Sequence, residues 1–468
     1  MAVMARLLVP ADFGLVAIAN VSLRFFSYFS QMGITPALIQ KPKIEVSDVR
    51  AAMALSLGVS GFFFFLAVSA AGFIEGFFEI SGLGLVTQIL ALNFVIGGFS
   101  AVSTGLLRRQ NEFKKLALIE IVSYVLGYGL VGLGAAYIGA GVWALVAAFL
   151  TQISLTALLS YAVTRHSISL KHTKEQRAHF ISYGGRYSII GFIEFLSSNI
   201  DALIIGKLLG ATPAGYYNRA LLLANLPVQQ PANVLTKVLF PIMSSIGDQH
   251  DKQSMSLQLS VLLVGSYAFA VGAGIYVAAS DIVKVLLGDK WLDTIPTLQI
   301  LAWSVGPLYI SHVAGVTLDS MAKLAIKMRI QLSMLTLLVL LLLLTSTTGT
   351  VRSIALAVVV TEWVRVFIMG WILIRLLSIY WLDVIKILSA MVVVAIMAGY
   401  AILAFNSLFF INESNIIRLI GDIISGGFGL SIGLIFALHI VSKNQAILFL
   451  ADRQPRFSKF LNKFNSRK

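Results

Sequence analysis

Apolar runs long enough to cross a bilayer follow one another along nearly the whole chain, separated by short loops. A membrane-spanning helix needs about 20 predominantly apolar residues. Backbone inside lipid must satisfy its own polar groups, which leaves helices and closed barrels as spanning structures. The runs therefore predict an all-α polytopic membrane protein, with spans at 13–39, 50–74, 83–107, 116–136, 141–163, 181–209, 214–246, 255–280, 295–318, 328–347, 352–378, 384–407 and 415–441.

Composition agrees with this class and excludes several others. Hydrophobic residues make up 58% of the chain and charged residues 12%, whereas soluble domains average about 25% charged residues. The formal charge of +14 does not indicate a nucleic-acid partner, because the basic residues occupy short loops between spans, as the positive-inside rule predicts. Without cysteine there is no disulfide or thiolate metal site. The chain also lacks a Walker A motif for ATP, and no cofactor is expected.

Loop charges predict the orientation. Basic residues fill alternate loops, as at 108–115, whereas the loop at 75–79 is acidic. Because basic loops stay in the cytoplasm, the basic tail 442–468 is predicted to be cytoplasmic. One basic loop contains three histidines without metal-ligand spacing, which are interpreted as solvent-exposed: His166, His172 and His179.

The span 181–209 is more polar than most of the others. Glu194 and Asp201 are seven residues apart and share one helix face, and Arg186 lies about 12 Å from Glu194 at 1.5 Å per residue. Each such charge would cost roughly 2.5–3.5 kcal/mol in mid-bilayer, so this face is predicted to line a polar pathway. Glu194 and Asp201 are candidate coupling or gating groups. The alternative is a structural pair of Asp201 with Arg219 or Lys207, and Lys207 is otherwise expected to snorkel.

The next span, 214–246, carries amides at helical spacing, including Asn225, and is interrupted by Pro227 and Pro231. Prolines free backbone carbonyls and allow bending. We interpret these two prolines as a hinge in a helix that lines the pathway, and a static kink is the alternative.

A short internal repeat relates the two halves of the chain. Residues 6–14 and 207–215 share a basic residue, two leucines, four loop residues, an apolar residue and a glycine, although chance is a competing explanation. A true repeat predicts two six-helix lobes around a central cavity, followed by two further helices. The stub at 1–8 would then be the end of a truncated first helix. The predicted domains are an N-terminal lobe, a basic inter-lobe loop, a C-terminal lobe, two additional helices and the tail, at 1–163, 164–180, 181–378, 379–441 and 442–468.

Three segments resemble polysaccharide flippases of the Wzx type, in the lipopolysaccharide and colanic-acid exporter branch of the multidrug/oligosaccharidyl-lipid/polysaccharide exporter superfamily. They read ARLLVPADFGLVAIAN, GLLRRQNEFKKLALIE and LSSNIDALIIGKLLGATPAGYYNRA. The resemblance implies a location in the bacterial inner membrane and transport of undecaprenyl-diphosphate-linked glycan units to the outer leaflet. It implies a lipid-linked glycan and membrane lipids as partners, and a polysaccharide polymerase and other assembly proteins are further candidates.

A diphosphate cargo needs cationic donors, and the arginine fork matches phosphate geometry. Arg24, in mid-span, is therefore a candidate substrate contact, together with Arg186, Arg219 and Asn225. The alternative for Arg24 is a structural pair with Glu120 or Glu194. In span 352–378, Glu362 and Arg365 lie three residues apart and are interpreted as a structural ion pair.

Other functions compete with a flippase. The first is a cation-coupled drug or metabolite exporter of the same superfamily, although a cationic cavity disfavours cationic drugs. A membrane-embedded glycosyltransferase, polymerase or ligase is less favoured, because the chain has neither a large outer loop nor an acidic sugar-nucleotide motif. A non-transporting scaffold would leave the intramembrane charges without a purpose.

Overall fold

The computed structural model describes residues 2–30, 38, 44–169, 196–246, 249–345, 349–409 and 414–441. In these ranges the chain is helical, and none of them contains a strand. The helices are α1 (Ala2–Leu7), α2 (Pro10–Ser30), α3 (Val46–Phe78), α4 (Leu83–Leu90), α5 (Leu92–Arg109), α6 (Phe113–Tyr124), α7 (Leu133–Tyr137), α8 (Val142–Thr164), α9 (196–209), α10 (Ala211–Ile246), α11 (His250–Leu286), α12 (Thr294–Ser320), α13 (Leu324–Thr345), α14 (Val351–Leu376), α15 (Trp381–Phe409) and α16 (Asn415–Val441).

Ten segments of the described chain are long and apolar enough to cross a membrane. They correspond to ten of the predicted spans and confirm them. Helices α4 and α5 together form one span, and α6, a π-helical segment at Val125–Gly132 and α7 form another. The other three predicted spans, 13–39, 181–209 and 214–246, each include residues or side chains outside the described set.

The chain divides into two compact units, Met1–Asn218 and Arg219–Lys468. In the first unit, α5 packs against α3 and α8. In the second, α11 packs against α12 and α15, and α16 packs along α15. The lobe and domain boundaries proposed from the repeat stay predictions.

Glycine allows the close packing of α16 on α15. A Cβ atom at Gly429 would lie 2.5 Å from the carbonyl oxygen of Met397, and one at Gly433 would lie 2.9 Å from Cα of Val394. Small residues at membrane helix interfaces let backbones approach in this way. The interface therefore rests on backbone contact, and it positions the polar side chains at the start of α16.

Candidate functional site

The first turns of α2 and α10 cross in direct backbone contact at two glycines. A Cβ atom at Gly14 would overlap the carbonyl oxygen of Ala211 and would lie 2.8 Å from the amide nitrogen of Gly215. A Cβ atom at Gly215 would overlap the carbonyl oxygen of Pro10 in return. Gly14 and Gly215 are the two glycines aligned by the internal repeat, so corresponding positions of the repeat contact each other.

Asp201 forms a buried hydrogen-bonded pair with Tyr217. Gly210, with φ of 86°, reverses the chain between α9 and α10 and brings the two side chains together. The phenol of Tyr217 donates to Oδ2 of Asp201, and the amide of Ala202 donates to Oδ1 at 2.8 Å. Asp201 is 6% exposed and Tyr217 1% exposed. Tyr217 is therefore the partner of this carboxyl group, whereas Lys207, one of the two alternatives, pairs with Glu79.

Lys207 forms an ion pair near the end of α9 instead of snorkelling freely. Its Nζ lies 2.7 Å from Oε1 of Glu79, the residue after α3, and 5.3 Å from the ring centroid of Phe77. The hydrogen bond and the positive charge of Lys207 lower the pKa of Glu79. This contact joins α9 to the end of α3.

Helix α10 continues through both of its predicted hinge prolines. Pro231 has no N–H to offer the carbonyl four residues earlier, which belongs to Pro227. The hydroxyl of Tyr267, on α11, donates to that carbonyl oxygen at 3.0 Å. A side chain from a neighbouring helix thus replaces the missing backbone hydrogen bond, as membrane helices with proline require.

The predicted substrate contacts differ in environment. Arg24 is exposed on α2 and has no ion pair with any described residue; Glu120, its suggested partner, is also exposed. Arg219 and Asn225 are half-buried on α10. Arg186 and Glu194 lie outside the described residues, so their predicted roles stay predictions.

The second unit contains a large apolar cavity between α11, α12, α14 and α15. Its volume is about 620 Å³, and its lining includes the indole rings of Trp363, Trp371 and Trp381. Gly370 also faces it, and a Cβ atom there would meet no atom within 4 Å. The lining is almost wholly apolar, so the cavity suits a hydrocarbon chain rather than a polar ligand.

Trp363 also donates a hydrogen bond to a carbonyl group that a second proline leaves free. Pro307, inside α12, leaves the carbonyl of Trp303 without its helical donor, and Nε1 of Trp363 donates to this oxygen at 3.2 Å. On either side of Trp363 in the same helix, Arg365 Nη1 lies 3.0 Å from Glu362 Oε1, which confirms the predicted ion pair.

The prediction of a solvent-exposed His166 is wrong. The side chain is buried, and Nε2 lies 2.8 Å from Oγ of Ser103 on α5. Nδ1 lies 3.2 Å from the carbonyl oxygen of Ser167, and Nε of Arg50 donates to the hydroxyl of Ser167. The segment after α8 therefore folds back onto α5 and α3, which a loop composition does not reveal. Burial lowers the pKa of His166. His172 and His179 lie outside the described residues.

Sequence reasoning did not identify Tyr217 as the partner of Asp201. It also did not identify Tyr267 and Trp363 as donors to the carbonyl groups that prolines leave free. For Tyr267 and Trp363 the sequence contains a partial signal, because the carbonyl group four residues before a proline lacks its helical donor. The donor itself comes from another helix, and only the packing reveals it.

A family model described as "Polysaccharide biosynthesis protein" matches residues 3–296. An "Uncharacterized membrane protein in cps region" of Klebsiella pneumoniae is 27% identical over 337 residues, which cover 70% of this chain and 68% of that protein. The "Lipopolysaccharide biosynthesis protein WzxC" of Escherichia coli (strain K12) is 24% identical, and the match covers 64% of this chain and 61% of that protein. The "Succinoglycan biosynthesis transport protein ExoT" of Rhizobium meliloti (strain 1021) is 27% identical, and the match covers 67% of this chain and 64% of that protein. The chain thus spans less than two thirds of the last two relatives.

Solved structures share the fold. The lipid II flippase MurJ, in an inward closed conformation, superposes with a TM-score of 0.72 at 13% identity, covering 94% of this chain and 95% of that chain. An inward-facing multidrug resistance transporter of the MATE family gives a TM-score of 0.56 at 13% identity, with coverages of 81% and 95%. These matches confirm the predicted all-α transporter fold. Because the family model covers more than half of the sequence, the chain belongs to the family of polysaccharide biosynthesis proteins, a result that confirms the resemblance to Wzx-type flippases.

Proposed function

We propose that the chain moves undecaprenyl-diphosphate-linked oligosaccharides from the inner to the outer leaflet of the bacterial plasma membrane by alternating access. Its relatives have names that place them in polysaccharide biosynthesis, and one of these names describes a transport protein. The structural neighbours with the highest TM-scores above are a lipid II flippase and a multidrug resistance transporter. Fold alone does not decide between these two cargoes.

The apolar cavity of the second unit is the observation that favours a lipid-linked cargo. A lining that is almost wholly apolar can accept a hydrocarbon chain and gives a headgroup no place. We assign this cavity to part of the lipid tail. The alternative, a cation-coupled exporter of drugs or metabolites, would need polar groups that orient its ligand, and the lining has almost none.

A cavity-filling substitution tests this assignment. Gly370→Leu would place an isobutyl group in the cavity without contact at Cβ, so we expect normal insertion and a loss of transport of tenfold or more. Gly427→Leu is the matched control, because that glycine is exposed on α16 and also has open space around its Cβ. Transport is measured as delivery of lipid-linked glycan to the outer leaflet in cells lacking their own flippase. Full activity of Gly370→Leu would remove the cavity from the mechanism.

For the diphosphate we propose Arg24, together with Arg186, Arg219 and Asn225. Arg24 is supported by its exposure and by the absence of an ion pair with a described residue. In the same cells, Arg24→Ala should abolish transport and Arg24→Lys should retain part of it, because lysine keeps the charge and loses the fork. Arg352→Ala, which removes an exposed arginine from the first turn of α14, should remain active. Equal activity of Arg24→Ala and Arg352→Ala would contradict the assignment.

For gating and coupling we propose Asp201 and Glu194, with Pro227 and Pro231 as the hinge in α10. Burial of Asp201 against Tyr217 supports a role that depends on its protonation or pairing. If transport is coupled to a cation through these two carboxyl groups, Glu194→Gln combined with Asp201→Asn should abolish the ion dependence. Transport with unchanged ion dependence in this double variant would disprove the coupling role.

A further inference from the structure

A buried polar cluster joins α16 to α11 and α15 in the second unit, outside the residues assigned to transport. It consists of Asp281, Asn406, Arg418 and Asp422. Nη2 of Arg418 lies 3.3 Å from Oδ2 of Asp281, and Nδ2 of Asn406 donates to Oδ1 of Asp422 at 2.6 Å. Asp281 is 4% exposed and Asp422 is 3% exposed.

Two oxygen atoms of this cluster are buried without a hydrogen-bond partner among the described residues. They are Oδ2 of Asp422, the second oxygen of its carboxyl group, and Oδ1 of Asn406, the oxygen of its amide; Nε of Arg418, a donor, is also buried without a partner among these residues. A buried polar atom without a partner carries its full desolvation penalty, and this penalty is largest for a charged group. Both oxygens are acceptors, so the missing partner must be a donor or a cation.

The charge of the cluster indicates a cation with a single charge. Two carboxylates and one guanidinium leave an excess of one negative charge. Asp281 lies near the C-terminal end of α11 and Asn406 near that of α15, and the negative end of a helix dipole favours a cation. Carboxylate and amide oxygens are ligands for hard cations. A divalent ion would need more carboxylates than these two to balance its charge.

We propose that Asp422 and Asn406, with Asp281 nearby, bind one sodium ion. The site lies at helix ends and beside Arg418, whose side chain is 36% exposed, so an ion can reach it from water. A bound ion would fix the start of α16 to α11 and α15. The proposal is independent of the transported cargo, and its test does not use transport.

Thermal unfolding of the purified full-length protein in detergent tests the site. Sodium chloride is titrated at constant ionic strength against choline chloride, with potassium and proton titrations as separate arms. A ligand that binds only the folded state raises Tm in a saturable way, so we expect a rise of several degrees with sodium. Asp422→Asn should abolish the rise. Asp383→Asn, at the other end of α15 in an ion pair with Lys386, is the control and should keep it.

A direct measurement of sodium binding tests the site even if the Asp422→Asn protein does not fold. The wild-type protein should bind about one ²²Na⁺ per chain in a scintillation proximity assay, and Asn406→Ala should weaken this binding about tenfold. A wild-type Tm that depends on ionic strength or pH but not on sodium, or an absence of ²²Na⁺ binding, would show that water or a proton occupies the site. A sodium response that persists in a folded Asp422→Asn protein would equally overturn the proposal.

Discussion

At Gly14 and Gly215 a single methyl group determines whether two helices can cross. The atoms that a side chain would meet are backbone oxygens and nitrogens, which cannot rotate away as a flexible side chain can. We expect Gly14→Ala and Gly215→Ala each to lower stability by about 1–3 kcal/mol, the usual cost of overpacking, measured as a lower Tm in detergent. Gly72→Ala on α3 is the control, because no atom lies within 4 Å of its Cβ. An unchanged Tm for both crossing variants would show that α2 and α10 do not touch at these residues.

His166 makes stability depend on pH in a predictable direction. Its folded pKa lies below the ordinary value because burial disfavours the imidazolium form. The unfolded chain therefore takes up a proton first as pH falls below about 6.5, and stability decreases from there until the folded pKa is passed. Above about pH 7 the histidine contributes no pH dependence.

The comparison of wild type with His166→Gln checks this expectation. Between pH 7.5 and 5.5 the Tm of the wild type should fall further than that of the variant, which cannot be protonated at this position. Ser103→Ala should keep most of the pH dependence, since it removes the hydrogen-bond partner at Nε2 but leaves the imidazole buried. Identical slopes for wild type and His166→Gln would assign the pH dependence to other groups.

At the scale of the element, two proline-containing helices of the second unit share one arrangement of hydrogen bonds. Pro231 in α10 and Pro307 in α12 each free a carbonyl, and Tyr267 or Trp363 from a neighbouring helix donates to it. The segments that contain these prolines are therefore tied to their neighbours by single hydrogen bonds. A hinge built in this way can bend only when the donor releases the carbonyl or moves with it.

A double-mutant cycle isolates the bond at α10. Tyr267→Phe should cost about 0.5–1.5 kcal/mol, the net value of an ordinary hydrogen bond, and Pro231→Ala should remove most of that cost. The reason is that an alanine at position 231 supplies the missing N–H to the carbonyl of Pro227. Stability is measured by thermal unfolding of the four proteins in the cycle.

Tyr276→Phe is the matched control on the same helix, since no described residue bonds to the hydroxyl of Tyr276. It should leave Tm unchanged. Equal losses for Tyr267→Phe with proline and with alanine at position 231 would mean that the phenol acts through packing and not through the freed carbonyl.

At the scale of the molecule, the sequence was sufficient for what depends on hydropathy and insufficient for what depends on packing. Ten spans, the all-α fold and the family resemblance follow from apolar runs and local motifs. The partner of Asp201 did not follow, because a buried carboxyl group can pair with any donor that the hairpin at Gly210 brings near it. The same reason explains His166, whose loop looks solvated by composition but is folded onto α5.

Loop charges also predict which side of the membrane each loop faces. The loop after α5 is basic and should be cytoplasmic, whereas the loop after α7 has no charge and should be external. Because the chain contains no cysteine, single cysteines can be introduced without background labelling. Gln110→Cys and Ile138→Cys place a thiol at exposed positions of the two loops.

A membrane-impermeant maleimide should label Ile138→Cys in intact cells and Gln110→Cys only after permeabilisation. A further cysteine at Tyr380, exposed between α14 and α15, should behave like the one at 110, because these two loops are separated by an even number of predicted spans. This third position reports which side of the membrane the loops of the second unit face, where loop charges alternate less regularly. Labelling of Tyr380→Cys from outside would mean that the span count between the two loops is odd, and would place the tail 442–468 outside the cytoplasm as well.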